Sequence, residues 1–140
     1  RGFKIKVDTN GSSYSSFLTF KGIVDLWGID YKVPFSSYHL VQGEKEAQSV
    51  REVIQEALEI PEKVEFRTTI FPPFHHKKTL REMAKDLKNA STWYWQNFNP
   101  FKTLDKEAQK VAPYPLALLQ QWQDEINREA GKDLVVIRPS

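Results

Sequence analysis

Val24-Asp25-Leu26-Trp27-Gly28-Ile29-Asp30-Tyr31-Lys32 reads as a buried strand that ends in Asp-x-Lys. Side chains on a strand alternate faces, so Gly28, Asp30 and Lys32 point one way and Trp27, Ile29 and Tyr31 the other. An acid and a cation two residues apart therefore share a face where the strand stops. In parallel α/β folds that edge is where ligands bind. One exposed ion pair at a strand exit constrains little. Its weight depends on what the neighbouring strands bring to the same edge.

Toward the N-terminus, Phe3-Lys4-Ile5-Lys6-Val7 alternates with period two and stops at the turn signal Asp8-Thr9-Asn10-Gly11. Residues 12–22 are short and Ser-rich, which predicts a stunted helix leading into the central strand. Past Lys32, Pro34 forbids continuation of the ladder. Residues 44–59 give the clearest helix, with Ala47, Val50, Ile54, Ala57 and Leu58 at three- and four-residue spacing and Pro61 just beyond. Val64-Glu65-Phe66-Arg67-Thr68-Thr69-Ile70-Phe71 is the next strand, closed by Pro72-Pro73; Glu65, Arg67 and Thr69 share one of its faces. Thr79-x-x-Glu82 predicts a capping box opening a helix that buries Leu80, Met83, Ala84 and Leu87. Thr92-Trp93-Tyr94-Trp95-Gln96-Asn97-Phe98 is an aromatic-rich strand, followed by a short charged helix over residues 104–111. Pro115 suits a helix first turn; Leu116, Leu119, Trp122 and Ile126 mark that helix's buried side, and Gly131 ends it before a last strand at residues 134–137. Strand and helix alternate throughout, which predicts parallel βα units. The fold class is α/β, an incomplete parallel (βα) half-barrel formed by residues 1–140 as a single portion.

In four successive strands the polar residues gather near the strand's end: Asp8-Thr9-Asn10, Asp30 with Lys32, Arg67 with Thr69, and Gln96 with Phe98. On a parallel sheet these line one rim. The rim mixes two carboxylates, two cations and an amide, a set suited to a zwitterionic or polar small ligand. Charged residues at 27% and hydrophobic ones at 40% mark an ordinary globular composition. The net charge of +2 is too small to argue for a nucleic-acid or membrane partner. No transmembrane-length run and no signal peptide pattern is present, so a cytoplasmic location is the expectation. The sequence has no cysteine, hence no disulfide, no thiolate nucleophile and no cysteine-ligated cluster.

Other motifs read as structure. Adjacent His75 and His76 diverge and lack a third ligand at metal-site spacing, so His75-His76-Lys77-Lys78 is expected to be a solvated basic turn. Trp93 and Trp95 alternate onto the helix-packed side and are expected in the core, not stacked on bases. No phosphate-binding Gly-rich loop and no nucleophile–His–acid spacing is visible, so no residue of this chain is assigned a catalytic role.

With these residues in view, the chain resembles the C-terminal half of a radical S-adenosylmethionine (SAM) protein. It is most similar to the activating enzymes of glycyl-radical enzymes, of the anaerobic ribonucleotide reductase and pyruvate-formate-lyase type. The segments that carry the resemblance are Gly2-Phe3-Lys4-Ile5-Lys6-Val7-Asp8-Thr9-Asn10-Gly11, Ile29-Asp30-Tyr31-Lys32-Val33-Pro34 and Phe66-Arg67-Thr68-Thr69-Ile70-Phe71-Pro72. Gln96-Asn97-Phe98-Asn99-Pro100, Lys102-Thr103-Leu104-Asp105 and Pro113-Tyr114 follow in the family's order. The resemblance implies a partial TIM barrel of six strands, held here from the third onward. It also implies a 4Fe–4S cluster on a CxxxCxxC loop, SAM on that cluster, and a 5′-deoxyadenosyl radical that takes hydrogen from a glycine of a partner glycyl-radical enzyme. By the same resemblance Asp8, Thr9 and Asp30 lie at a monovalent-cation and SAM site, Lys32 is near the SAM carboxylate, and Arg67 and Gln96 are SAM-facing rim residues.

The chain also departs from that pattern. The cysteine loop and a Gly-Gly-Glu segment both belong before Arg1. Pro72-Pro73-Phe74-His75 stands where Pro-Gly-x-His is usual, and residues 11–22 are short for a crossover helix. The expectation is a fragment of the enzyme, opening in mid-pattern at Arg1 and inactive alone, whose first strand keeps a free edge that invites self-association. Such a fragment would bind SAM weakly or not at all. Two alternatives stand beside it: a cysteine-free binding module derived from the same fold, and a different radical SAM enzyme acting on a small molecule.

Overall fold

The computed structural model describes residues 3–138; Arg1 and Gly2, where the mid-pattern opening was expected, lie outside the described residues. Five strands form one sheet: β1 (Lys6–Thr9), β2 (Leu26–Asp30), β3 (Val64–Ile70), β4 (Trp93–Asn97) and β5 (Val135–Arg138). Their order is β1-β2-β3-β4-β5 and every neighbouring pair is parallel. The helices α1 (Tyr14–Phe20), α2 (Glu44–Ala57), α3 (Lys77–Asp86) and α4 (Leu116–Ala130) fall one in each crossover. Parallel crossovers are right-handed, so a sheet that adds each strand beside the last puts all its helices on one face. The result is an open half-barrel. A six-stranded barrel entered at its third strand would leave four strands; the described residues form five.

Burial follows that asymmetry. Trp27, Ile29, Tyr31, Phe66, Trp93 and Trp95 point to the helix side and are buried with Val50, Ile54, Leu80, Met83, Leu119 and Ile126. Trp93 and Trp95 are core residues, as alternation indicates. The opposite, concave face is polar. There Glu65 is only 8% exposed, because the Lys6 ammonium lies 3.1 Å from one of its oxygens and Arg138 approaches the other at 3.3 Å. The Arg138 guanidinium also sits 3.5 Å over the Tyr94 ring. One carboxylate thus ties β1, β3 and β5 together across the concave face.

Three local expectations are corrected. The first strand is Lys6–Thr9, not residues 3–7. Phe3 is exposed, and Ile5 is held by the Asp25 carboxylate, which accepts its N–H at 2.7 Å. The turn begins only at Asn10, whose side chain accepts the Ser12 N–H, and Gly11 takes a φ of 75° that suits glycine. Thr79 does not cap α3: the helix starts at Lys77 after His76, and the Thr79 hydroxyl contacts the His76 ring. Residues 104–111 form no continuous helix, only 3-10 turns at Pro100–Lys102 and Ala108–Lys110. Leu104 is 98% exposed and so offers no buried face, while Asp105 accepts the Glu107 N–H and holds a local turn instead.

Candidate functional site: a charged rim at the ends of the parallel strands

Residues that lie side by side in the sheet show how the rim is built. Asp8 lies beside Gly28, Asp30 beside Arg67, and Thr69 beside Gln96. Asp8, Asp30, Arg67 and Gln96 therefore rise on the concave face, with Asp8, Asp30 and Gln96 at or next to the C-terminal ends of β1, β2 and β4, and Arg67 in the middle of β3, level with Asp30. Arg67 reaches back across β2 to Asp8, with Nη2 2.8 Å from Oδ1. It can do so because residue 28 has no side chain: a Cβ there would stand 2.3 Å from the Arg67 nitrogen and 2.5 Å from the Asp8 oxygen. Lys32 folds onto the Asp30 carboxylate, and both side chains are 41% exposed. Thr9 belongs to the opposite parity, and its hydroxyl accepts the Gly11 N–H at 3.0 Å. It is not brought together with Asp8 and Asp30 through its side chain.

Asp30 and Lys32 open onto a cleft of about 560 Å³. Leu40, Val41, Phe71, Phe74, Phe98 and Ala108 supply its apolar wall; Thr69, Thr103 and Asp105 add polar atoms. The wall is stiffened by edge-on ring contacts of Phe71 with Phe74 (5.1 Å) and Phe98 (4.9 Å). Gln96 lines a neighbouring hollow of about 260 Å³ that shares Thr69, Phe98 and Thr103 with the cleft. The predicted rim is thus divided: Asp8 with Arg67 on the concave face, Asp30 with Lys32 at the cleft, Gln96 one hollow further.

Lys32 is placed by its backbone. Its N–H donates to the Tyr38 hydroxyl at 2.7 Å, and its carbonyl lies 2.6 Å from His75 Nε2. Tyr31, just before it, donates its hydroxyl to Asp86, which also accepts the Phe35 N–H. The Tyr31 carbonyl accepts from Thr68, whose oxygen in turn accepts the Trp93 indole N–H at 2.8 Å. Burial raises the Tyr31 and Tyr38 phenols well above their ordinary range, so both stay protonated and able to donate.

His75 overturns its expectation as part of a solvated turn. It is 2% exposed. The Phe71 N–H donates to Nδ1 at 2.9 Å, so the ring proton sits on Nε2 and is given to the Lys32 carbonyl. Sequence reasoning missed this because both of His75's partners come from the folded chain, Phe71 through a tight turn and Lys32 from the segment just past β2. Glu65 was placed on the face of Arg67 by alternation, but its tie to Lys6 and Arg138 was not foreseen. Burial lowers the His75 pKa below its ordinary 6.5. The unfolded chain therefore takes up the proton first. The stability from neutral His75 is complete above about pH 6.5 and is lost as pH falls through the lower, folded value. Denaturant midpoints between about pH 7.5 and 5 should fall more steeply for the natural protein than for His75→Gln; parallel profiles would refute this.

Among the described residues no group of three or more His, Cys, Asp and Glu is gathered to hold a metal ion, and no helix is long and apolar enough to cross a membrane. No family model matches the chain. A protein of Methanocaldococcus jannaschii, provisionally named a glycyl-radical enzyme activating enzyme, is 29% identical over 151 aligned positions, covering 99% of this chain and 60% of that protein. The chain is related to the glycyl-radical enzyme activating enzymes. It spans about 60% of the length of that relative. The fold is shared with a domain of pyruvate-formate lyase-activating enzyme from Bacteroides vulgatus, which superposes with a TM-score of 0.74. That match covers 98% of this chain and 82% of the domain at 15% identity, and so speaks for the fold.

Proposed function

We propose that residues 1–140 are the C-terminal portion of a radical SAM activating enzyme that generates a glycyl radical on a partner enzyme of the anaerobic ribonucleotide reductase type. The observation that carries this reading is the rim: two carboxylates at the ends of β1 and β2 and two cations, Lys32 just past β2 and Arg67 beside Asp30 in β3, next to a half-apolar cleft. An amino-acid end bearing an ammonium and a carboxylate needs both signs opposite it. The donor set fits that end of SAM. Lys32 and Arg67 would take the carboxylate, Asp8 and Asp30 the ammonium or a monovalent cation, and Gln96 a polar edge of the ligand. In the cation set Thr9 stands with its hydroxyl already engaged by Gly11.

The residues present do not fit a 4Fe–4S cluster, because the sequence has no cysteine. In this reading the cluster ligands come from a part of the enzyme outside these 140 residues, and this chain alone is inactive. SAM, when bound in the whole enzyme, supplies the hydrogen-abstracting chemistry. This chain's own residues orient its amino-acid end and line the cleft beside it. The reading carries a cytoplasmic setting. It also assigns the open ladder edge of β1 to pairing with a further strand of the parent, and unpaired edges invite self-association.

The test is calorimetric titration of the full-length, cluster-loaded protein with SAM. Asp30→Ala removes the Lys32 counter-ion and one ligand contact together, and should weaken binding about tenfold, the scale of one charge-assisted hydrogen bond. Tight binding unchanged by this substitution would remove Asp30 and Lys32 from the site. Failure of the full-length protein to bind SAM at all would remove the reading.

A further inference from the structure

The rim charges are already matched to one another. Arg67 holds Asp8 at 2.8 Å, and Lys32 holds Asp30. The first pair is unusual in its path, since it joins β1 to β3 over the top of β2 through the gap left by Gly28. A guanidinium 31% exposed thus lies against a carboxylate 62% exposed, over a bare backbone. Such a pair is held by modest energy in a solvated setting. It can exchange partners when a better-placed carboxylate arrives.

Resting on the reading above, we propose that the Asp8–Arg67 pair is a placeholder that keeps the carboxylate-binding arginine occupied in the ligand-free protein and opens when the ligand's carboxylate enters. Gly28 is the positioning residue that permits it. Arg67 gives up Asp8 and pairs with the incoming carboxylate; Asp8, released, faces the ammonium or cation. No bond is made or broken beyond these ion pairs and hydrogen bonds. The device lets a ligand bearing both charges open the pair at little net cost, because each freed group finds a partner of the ligand. A ligand that lacks the carboxylate leaves the pair closed, so the cost of opening it falls on the carboxylate's contribution to binding.

The test compares SAM with decarboxylated SAM, which keeps the ammonium and lacks the carboxylate, on the full-length cluster-loaded protein. The ratio of their dissociation constants isolates the carboxylate's contribution, and a variant that keeps Asp8 separates the release of Arg67 from the loss of an ammonium contact. Two substitutions free Arg67 in different ways. Asp8→Asn removes the counter-charge. Gly28→Ala fills the gap and displaces the flexible guanidinium end while keeping Asp8. Both should raise the preference for SAM over decarboxylated SAM about two- to fivefold, the worth of an exposed ion pair, with circular dichroism unchanged. An unchanged ratio in both variants would mean that the pair stays closed or does not matter, and would overturn the placeholder. A lowered ratio would mean that Asp8 orients Arg67 for the ligand, and would overturn it equally. If the natural protein binds neither compound, the SAM reading itself has failed, an outcome distinct from both.

Discussion

Trp93→Ala should cost the fold about 3–5 kcal/mol. The indole is fully buried. It meets Trp95 edge-on at 5.4 Å and Tyr31 at 6.2 Å. Truncation to Ala removes its transfer free energy and leaves a cavity between β3, β4 and the helices that rigid neighbours cannot close. It also takes away the N–H that Thr68 accepts. Thr68 is the residue whose hydroxyl donates to the Tyr31 carbonyl one position before Lys32. Damage to the core should therefore reach the site. Urea unfolding followed by circular dichroism should show a midpoint shift at unchanged slope. Tyr94→Ala, on the half-exposed concave face of the same strand, should cost clearly less. A loss below about 1 kcal/mol for Trp93→Ala would mean that the outer face is not the load-carrying core.

The contrast between those two neighbours shows what the sequence made legible. Alternation alone assigns Trp93 and Trp95 to one side and Tyr94 and Gln96 to the other, because side-chain direction on a strand is fixed by the backbone. The same rule placed Asp30 and Lys32 together and set Glu65 beside Arg67. Spacing likewise located α2 and α4, where apolar residues recur around a buried stripe, although Leu116, at the exposed first turn of α4, lies outside it. What failed depended on tertiary competition. The Thr79-x-x-Glu82 pattern was a correct local signal in the wrong turn, since the helix was free to start three residues earlier. Residues 104–111 had helical spacing but no surface to bury, and Asp105 offered the backbone a turn instead. His75 looked polar and solvated until β2 and the Phe71 turn closed around it. The Asp8–Arg67 pair needed two things absent from any one segment: the register of three strands and the missing side chain at Gly28.

Removing both rim cations, Lys32→Ala with Arg67→Ala, should weaken SAM binding to the full-length protein by at least about a hundredfold. Each charge-assisted hydrogen bond to a carboxylate contributes on the order of 1.5–3 kcal/mol, or roughly ten- to a hundredfold. The two cations approach from different strands, Lys32 just beyond the end of β2 and Arg67 from β3, so one can partly cover for the other. The single substitutions should accordingly sum to less than the double, with the difference measuring their overlap. Lys32 should be the more sensitive to its surroundings. Its backbone is held by the Tyr38 hydroxyl and the His75 ring, and its side chain leaves that anchor with a single partner in Asp30. Lys6→Ala supplies the control. It removes a cation from the same concave face, but one committed to Glu65, and should change SAM affinity less than about twofold, as expected of a screened charge away from the ligand. Decarboxylated SAM should lose nothing to the Lys32–Arg67 double substitution and should gain about two- to fivefold, because Asp8 and Asp30 are then free to face its ammonium. If Lys6→Ala weakened SAM as much as the double did, the effect would be one of overall field on the concave face, and no particular cation could be assigned to the carboxylate. If the double left SAM affinity intact while Asp30→Ala reduced it, the ligand's carboxylate would have to lie elsewhere, and the two cations would serve only to hold the acids of the rim in place.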